Sequence, residues 1–219
     1  MNGARRAPRH RRTRLTRCAG AAVVAALLVG CAAKTPPSGG SATKSSGAAP
    51  ASADSVNFTQ LRTQYGDRAD FSAVCEKDRP LKQLIELTNA GRFDEVLAVS
   101  QPWLTHCPVD IDAQFVTGVA LTELGRKPEG QQHLDWYKGL VSSVLDSGDG
   151  KTPSTAFTVI SVEEEYAVLR ALRLLPKSQA VFEGRINALT VTAPSGDITI
   201  FFNPAAHFRR LGAKAGAPQ

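Results

Sequence analysis

The segment GRFDEVLAVSQPWLTHCPVDIDAQFVTGVALTELGR, residues 91–126, contains the repeat that organises the first half of the chain. A glycine-arginine pair opens the segment and a second one closes it. Spacing of this length, with glycine between two apolar-periodic runs, predicts antiparallel helix pairs joined by tight turns. Three pairs of similar residues are separated by 34 positions: Gly91 and Gly125, Leu87 and Leu121, and Trp103 and Tyr137.

This segment resembles the tetratricopeptide repeat family, whose repeats have the same length. The match weakens after residue 126, where Lys127 and Pro128 replace the usual aromatic and acidic pair. About two repeats are present, whereas such arrays normally stack three or more. The resemblance implies a concave helical surface suited to peptides, and Trp103 and Trp136 are the candidates to line its groove. The matching positions are Gly91, Phe93, Leu97, Ala98, Pro108, Gly118, Ala120, Leu121 and Gly125.

The second half of the chain changes from helical to strand periodicity. Residues 156–160 are β-branched and aromatic, which predicts a strand. Ser161 and Glu164 have the spacing of a capping box, which predicts a helix that stops before Pro176. Three alternating runs follow, over residues 178–182, 186–192 and 197–202, and predict strands.

These patterns predict an α+β protein. A tetratricopeptide-like helical array is expected over residues 55–147, followed by a small β-α-β-β-β unit over 148–203. Residues 204–219 are polar and predict a loose tail.

A larger resemblance covers about residues 56–203. The run GDGKTPSTAFTVISVEEEYAVLRALRL, residues 148–174, is followed by KSQA and later by FFN. Together these motifs resemble an uncharacterised family of bacterial secreted proteins and lipoproteins. The resemblance implies the domain extent and the helical-then-α+β layout, and it supplies no catalytic residues.

Residues 1–30 predict a lipoprotein signal peptide. Seven arginines precede an apolar run over residues 19–30, which is too short for a stable membrane-spanning helix. The run ends in a lipobox-like motif that predicts cleavage between Gly30 and Cys31, with lipid on the Cys31 thiol. An ordinary signal peptide is the alternative. Residues 31–54 are rich in Ala, Ser, Gly and Pro and predict a flexible tether.

The residue after the lipidated cysteine predicts the destination of the protein. Ala32 at this position favours export to the outer membrane of a Gram-negative cell over retention in the inner one. We therefore expect a protein that is anchored to the membrane by lipid, on the periplasmic face of the outer membrane.

Processing also removes the basic charge of the chain. The full sequence has a net charge of +6, but seven basic residues and no acidic ones precede position 31. The mature chain keeps 19 basic and 20 acidic side chains. No basic surface for nucleic acid is therefore predicted.

The cysteines of the mature chain predict one disulfide. Cys31 is assigned to lipid, which leaves Cys75 and Cys107 in an oxidising compartment. Their positions, before the first helix and after the second helix of the first repeat, bring them together across the open end of that hairpin. The alternative is a metal site with His106, which would need further ligands.

The run DSGDGKT, residues 146–152, is the most chemically suggestive motif. It is not a P-loop, because Leu145 stands where the first glycine is required and the run follows a helix. It does not match a regular calcium loop either, although a looser calcium site at Asp146 and Asp149 is an alternative. Its glycines favour a turn that joins the two halves.

No catalytic constellation, metal site or cofactor motif is recognisable, so none is predicted. The leading hypothesis is a non-enzymatic scaffold or interaction module with a protein or peptide partner in the envelope. The first alternative is an envelope hydrolase with its site at the junction of the two halves. A purely structural envelope component is the second alternative. The junction candidates are Asp149, Lys151, Glu164 and Tyr166.

Overall fold

A computed structural model describes residues 51–182, 185–194 and 196–215, all within one compact unit. Residues 1–50, which include the predicted signal peptide, Cys31 and most of the tether, lie outside the described residues. The helices are α1 (Phe58–Gly66), α2 (Leu81–Asn89), α3 (Phe93–His106), α4 (Ile111–Glu123), α5 (Lys127–Leu145), α6 (Val162–Ala171) and α7 (Ala205–Ala215). The strands are β1 (Phe157–Thr158), β2 (Leu175–Phe182), β3 (Ile186–Ala193) and β4 (Gly196–Asn203). The predicted α+β class is confirmed.

The two glycines of the repeat lie at equivalent turns. Gly91 joins α2 to α3 with φ +68°, and Gly125 joins α4 to α5 with φ +79°. Positive φ is strained for residues with a Cβ atom, so glycine is favoured at both positions. In each turn the arginine after the glycine donates its amide to a leucine carbonyl, at 3.0 Å after Gly91 and 2.8 Å after Gly125. The equivalent donors and acceptors are Arg92 to Leu87 and Arg126 to Leu121.

Helices α4 and α5 pack antiparallel at close range. Gly130 lies beside Thr122 near the turn, Gly118 lies beside Leu134 further along, and the Phe115 ring lies 5.1 Å from a ring on α5. A Cβ atom on Gly118 or Gly130 would approach the facing helix to within 3 Å. These glycines therefore set the close approach of the two helices. None of the helices in the described ranges is long and apolar enough to cross a bilayer.

The predicted disulfide between Cys75 and Cys107 is confirmed. Cys75 lies in a π-helical turn before α2, and Cys107 follows α3, with 5.4 Å between their Cα atoms. Both residues are buried. They pack in the same apolar cluster as residues of α5, α6 and the sheet. The disulfide thus ties the first helical hairpin to the core that both halves share.

The strands form one sheet in the order β1-β4-β3-β2. β2, β3 and β4 are an antiparallel meander, as the three alternating runs predict, and β1 pairs with β4 in parallel. β1 has only two residues, whereas the pattern predicted a strand over 156–160. The chain leaves β4 after this point because Ser161 already caps α6.

Alternation along β3 places one face of the sheet against the core. Asn187, Leu189 and Val191 of this strand are buried, with Ile200 and Phe202 of β4 beside them. These side chains pack with α6 and with Leu140 and Val144 of α5 in a single cluster. A second cluster lies between α2, α3 and α4. Because the larger cluster draws on both predicted halves, residues 55–147 and 148–203 share one core.

Residues 205–215 correct the prediction of a loose tail. They form α7, whose Arg210 is 6% exposed although the segment has only two large apolar residues, Phe208 and Leu211. Arg210 donates to the carbonyls of Gly66 and Ile160, the latter at 2.7 Å, and pairs with Glu76 at 3.1 Å. Its guanidinium also lies 4.4 Å from the centre of the Phe71 ring. A buried charged residue therefore holds this helix through contacts with distant parts of the chain.

Candidate functional site

Asp149 and Lys151, two of the junction candidates, lie in an exposed turn between α5 and β1. The Asp149 carboxylate accepts hydrogen bonds from the Lys151 amide at 3.0 Å and the Thr155 hydroxyl at 2.5 Å. The Thr155 bond, followed by the Lys151 amide, holds the pKa of Asp149 below its usual value. The Lys151 ammonium is 80% exposed and lies 3.7 Å from the same carboxylate. Both side chains therefore act within the turn.

The glycines of this turn are required by close packing. Gly150 has φ +65°, and a Cβ atom there would lie 2.4 Å from the Phe157 ring. A Cβ atom on Gly148 would lie 2.4 Å from the Thr155 carbonyl oxygen. The Gly150 carbonyl accepts a hydrogen bond from the Phe201 amide of β4 at 2.9 Å. DSGDGKT is thus a packed turn that ties the end of α5 to the sheet.

Glu164 is buried in an ion pair rather than open to a ligand. Its carboxylate accepts two hydrogen bonds from Arg62 of α1, at 2.7 and 2.8 Å. Ser161 caps α6 as predicted, accepting from the Glu164 amide at 3.2 Å. The predicted reciprocal bond of the capping box is replaced, because the Glu164 carboxylate accepts from the amide of Ile160 at 2.8 Å.

Arg62 is satisfied on all sides of its guanidinium. Besides Glu164, it donates to the Ser143 hydroxyl of α5 at 3.2 Å and to the Thr158 carbonyl of β1 at 2.9 Å. The pair therefore joins α1, α5, α6 and the sheet.

Tyr166 faces β2, away from the DSGDGKT turn. Its hydroxyl donates to the Gln179 side chain at 2.8 Å. The four junction candidates therefore lie in three separate environments: the exposed turn, the buried ion pair and the surface of β2. They do not form a common site, which removes the observation behind the hydrolase hypothesis.

The two tryptophans, which were predicted to line a groove, have their indole N–H groups occupied within the protein. Trp103 donates to Asp110 at 2.8 Å. Trp136 is 7% exposed, donates to the carbonyl of Ala51 at 2.7 Å, and stacks edge-on against Phe58. Trp136 thereby holds the segment that precedes α1 against α5.

A concave surface of the helical half is formed by other residues. We call it the helical groove. It has a volume of about 330 Å³ and lies between α2, α4, α5 and α6. Its lining residues are Leu81, Ile85, Thr88, Asn89, Asp112, Phe115, Val116, Tyr137, Ala167, Arg170, Ala171 and Arg173.

The floor of the helical groove is apolar and partly exposed. Ile85 of α2 is 39% exposed and Phe115 of α4 is 43% exposed. The Phe115 ring packs at 5.1 Å against Tyr137 of α5. Burial, followed by the charge of Asp112, raises the pKa of the Tyr137 hydroxyl, which is therefore neutral at physiological pH. These side chains present an apolar surface that a ligand could cover.

One wall of the helical groove is a network of ion pairs. Asp112 accepts from Arg170 of α6 at 2.8 and 2.5 Å and from Arg79 at 2.7 Å. Arg79 also pairs with Asp110, which caps α4. Burial opposes ionisation of Asp112, but the two arginines hold its pKa below the usual value. This network ties α6 to α4 along the wall of the groove.

A much smaller cavity lies at the junction of the two halves. Its volume is about 30 Å³, which is the room of about one water molecule. It lies between the disulfide, Arg79, Asp110 and the start of α6, including Glu163. A space of this size does not admit a substrate.

A third concave region is broad and open, with a volume of about 1030 Å³. It lies where α7 meets the solvent-facing side of the sheet. Its described lining includes Phe182, Phe208, Arg185 and Arg209 but no carboxylate, histidine or cysteine. It therefore offers no described group for acid–base chemistry.

The histidines of the mature chain lie apart. His133 is buried with its Nδ1 2.7 Å from the Gln114 side chain, and burial lowers its pKa to about 4. His207, on α7, lies 3.6 Å from the Glu76 carboxylate. Across the described ranges, no three histidine, cysteine or carboxylate side chains come together as metal ligands.

Sequence reasoning did not identify the helical groove or its ionic wall. The one usable signal was in α4, where apolar residues are distributed around the whole helix and one of them, Phe115, remains exposed. Phe115 becomes informative only together with Ile85, because the fold brings the two exposed side chains into one concavity. The partner of Asp112, Arg170, lies 58 residues away and could not be paired with it by spacing.

Comparison with known proteins identifies the family but no function. Residues 63–205 match the family model of a domain of unknown function, DUF4919, and this range includes both the helical half and the sheet. Searches of curated proteins and of solved structures found no match. The match agrees with the uncharacterised family that the sequence motifs predicted. The chain belongs to the DUF4919 family.

Proposed function

We propose that this protein is a lipid-anchored envelope protein that acts as a non-enzymatic interaction module and holds a peptide segment of a partner in the helical groove. The observation that carries the proposal is the groove itself, with Ile85 and Phe115 exposed in a concave surface whose wall is tied by ion pairs. Exposed apolar side chains in a preformed groove are typical of peptide-binding surfaces.

The repeated geometry of the helical half supports this role. The turns at Gly91 and Gly125 have equivalent hydrogen bonds, and each is followed by an arginine–glutamate pair at 2.6 Å. Two of the helices that line the groove, α2 and α4, precede these turns. This is the arrangement expected of two tetratricopeptide-like repeats, in which equivalent helices line one concave side.

Site-specific photo-crosslinking tests peptide binding. A photoreactive phenylalanine analogue replaces Phe115 in the helical groove, and in a matched control it replaces Lys138, a 64% exposed residue of α5 outside the groove lining. In intact cells, we expect discrete adducts with an envelope protein from position 115 but not from position 138. Equal labelling from both positions, or no adduct from position 115, would contradict the proposal.

The lipid anchor rests on the sequence of residues 1–31 and has its own test. We expect radiolabelled palmitate to be incorporated into the wild-type protein, and the protein to fractionate with outer membranes. The Cys31→Ala variant should lose both properties. A Cys18→Ala variant is the matched control, because Cys18 precedes the predicted cleavage point and should be dispensable. Retention of label in Cys31→Ala would refute the assignment.

A further inference from the structure

Arg173, at the end of α6, has a backbone conformation that bulky residues rarely adopt. Its φ is +57°, and its amide donates to the Arg170 carbonyl at 3.0 Å while the next amide donates to Leu169 at 2.9 Å. Glycine is the residue normally favoured at such a helix end. Arginine here carries backbone strain that glycine would avoid, so its side chain is a candidate for a role outside the fold.

Arg173 is also a cation of the groove lining without an internal counter-ion. The neighbouring Arg170 is neutralised by Asp112, which accepts two hydrogen bonds from it. Within the part of the chain that the structure describes, Arg173 forms no ion pair, and it is exposed. The lining contains two arginines and one aspartate, so a positive charge is left for a ligand.

This charge lies in the same concavity as the apolar floor. We infer that the helical groove binds a peptide segment in which an aspartate or glutamate side chain neighbours apolar side chains, with Arg173 pairing with the carboxylate. The apolar side chains cover Ile85 and Phe115. This inference rests on the proposed function and specifies the chemistry of the partner.

A peptide satisfies the groove better than other anions do. Asn89 at the end of α2 adds a side-chain amide to the lining, and the Thr88 hydroxyl, which donates to the Leu84 carbonyl at 2.7 Å, can still accept a hydrogen bond, so both suit the backbone of a bound chain. A fatty acid has the same combination of carboxylate and apolar groups, but it lacks hydrogen-bonding groups for these residues. A nucleic acid would need a row of free cations, whereas the described lining supplies one.

Selection from a phage-displayed library of random peptides tests the inference without a known partner. The full chain carrying Cys31→Ala, which removes the predicted lipid attachment point, serves as bait. Parallel selections use wild type, Arg173→Gln and Phe115→Asp. We expect wild type to enrich peptides with an acidic residue beside apolar ones. Selection on Arg173→Gln should still enrich apolar residues but no longer acidic ones. Selection on Phe115→Asp should enrich neither acidic nor apolar residues.

The enriched peptide is then synthesised with its acidic residue as Glu, Gln or Lys. By fluorescence anisotropy we expect wild type to prefer the Glu peptide over the Gln peptide by about two- to fivefold at low salt, because an exposed ion pair is worth this much. The preference should shrink as salt rises. Arg173→Lys should keep part of the preference for the Glu peptide. Arg185 is an exposed arginine outside the helical groove, so Arg185→Gln should keep the full preference.

The outcomes separate the two proposals. Neutral or basic peptides selected by wild type and lost in Phe115→Asp would overturn the acidic partner while leaving groove binding intact. No selection that depends on Phe115 would overturn both. Displacement of the peptide by dodecanoate at equal concentration would replace the peptide partner with a fatty acid. An Arg173→Gly variant, whose backbone suits positive φ, should bind like Arg173→Gln if the side chain alone is responsible.

Discussion

Two consecutive glutamates of α6 are buried in opposite electrostatic environments. Glu164 faces the guanidinium of Arg62, 2.7 Å away. Glu165 is fully buried, accepts one hydrogen bond from Asn187 at 2.7 Å, and has a second carboxylate oxygen without a described partner. Burial is the main cause that raises the pKa of Glu165 to about 8, and the charges of Glu163 and Glu164 add to it. Glu165 is therefore held as a neutral acid within the fold.

The first prediction concerns the pH dependence that Glu165 causes. Its pKa in the folded state lies above its unfolded value of 4.5, so the folded state binds the proton more tightly. The contribution of the Glu165 proton to the free energy of unfolding is fully present below pH 4.5 and is lost as pH rises towards 8. About 3 kcal/mol of it is lost by pH 7. We expect Glu165→Gln to flatten this dependence and to raise the free energy of unfolding at pH 7 by about 1–3 kcal/mol. Urea denaturation at several pH values measures it.

Glu164→Gln is the matched control and should have the opposite effect. It leaves the buried Arg62 without a carboxylate, which typically costs about 3–5 kcal/mol. A Glu165→Gln protein that is less stable than wild type at pH 8 would contradict the assignment of a neutral acid.

At the scale of elements, the DSGDGKT turn and α7 show how short segments are held by packing. The turn carries polar, charged residues, but its conformation depends on the contact between Gly150 and the Phe157 ring. Similarly, α7 has only two large apolar residues, and its position depends on Arg210, which donates to the carbonyls of Gly66 and Ile160. In both elements a side chain or backbone contact across the fold determines the local structure.

The second prediction is that Gly150→Ala destabilises the protein more than Gly125→Ala does. Both positions have positive φ, which costs about 1 kcal/mol for alanine. At Gly125 the added Cβ atom meets open space, whereas at Gly150 it lies 2.4 Å from the Phe157 ring. We expect losses of about 1 kcal/mol for Gly125→Ala and about 2–4 kcal/mol for Gly150→Ala. Equal losses in chemical denaturation would show that the ring moves aside without cost.

The third prediction is that Arg210→Ala releases α7. The variant removes hydrogen bonds to two carbonyls, the pair with Glu76 and the stacking on Phe71, so we expect a loss of about 2–4 kcal/mol. Amide hydrogen exchange should become fast over residues 205–215. Arg209→Ala is the control, because Arg209 pairs with Asp67 at the surface and its loss should change little. Unchanged protection of the α7 amides from hydrogen exchange in Arg210→Ala would contradict the prediction.

At the scale of the molecule, the helical half and the sheet are one structural unit. The larger core cluster contains Phe71, Cys75 and Leu140 of the first half together with Val168 and Phe202 of the second. The ion pair of Arg62 with Glu164 and the network of Asp112 with Arg170 cross the same boundary. The family match over residues 63–205 also crosses it.

The fourth prediction is therefore a single unfolding transition. Tryptophan fluorescence reports on the helical half, since both tryptophans lie in α3 and α5, and far-ultraviolet circular dichroism reports on the whole protein. The two transitions should coincide. Changing Cys75 and Cys107 to alanine should lower the midpoint of both together, with a loss of about 3–4 kcal/mol for a loop of this length. Two separated transitions would contradict a shared core.

Much of the element order follows from local rules, and the residues concerned show why. Ser161 caps α6 because its hydroxyl is within reach of an amide three residues later. Gly91 and Gly125 end helices because the backbone turns left-handed at those positions, which glycine adopts without strain. The alternating runs became β2, β3 and β4 with boundaries shifted by a few residues. Each of these features depends on residues within about one turn of each other, which a sequence pattern records.

The sequence by itself determined the α+β class, the repeat with its glycine turns and the meander, because spacing and periodicity are properties of neighbouring residues. It also determined the pairing of Cys75 with Cys107, because two cysteines were left to pair once Cys31 was assigned to lipid. Only the tertiary structure decided the roles of the charged residues. Glu164 meets Arg62 across 102 positions and Arg210 meets Gly66 across 144. The helical groove likewise requires four helices to converge. Long-range packing selects among many chemically equivalent partners, so composition and spacing do not specify which of them meet.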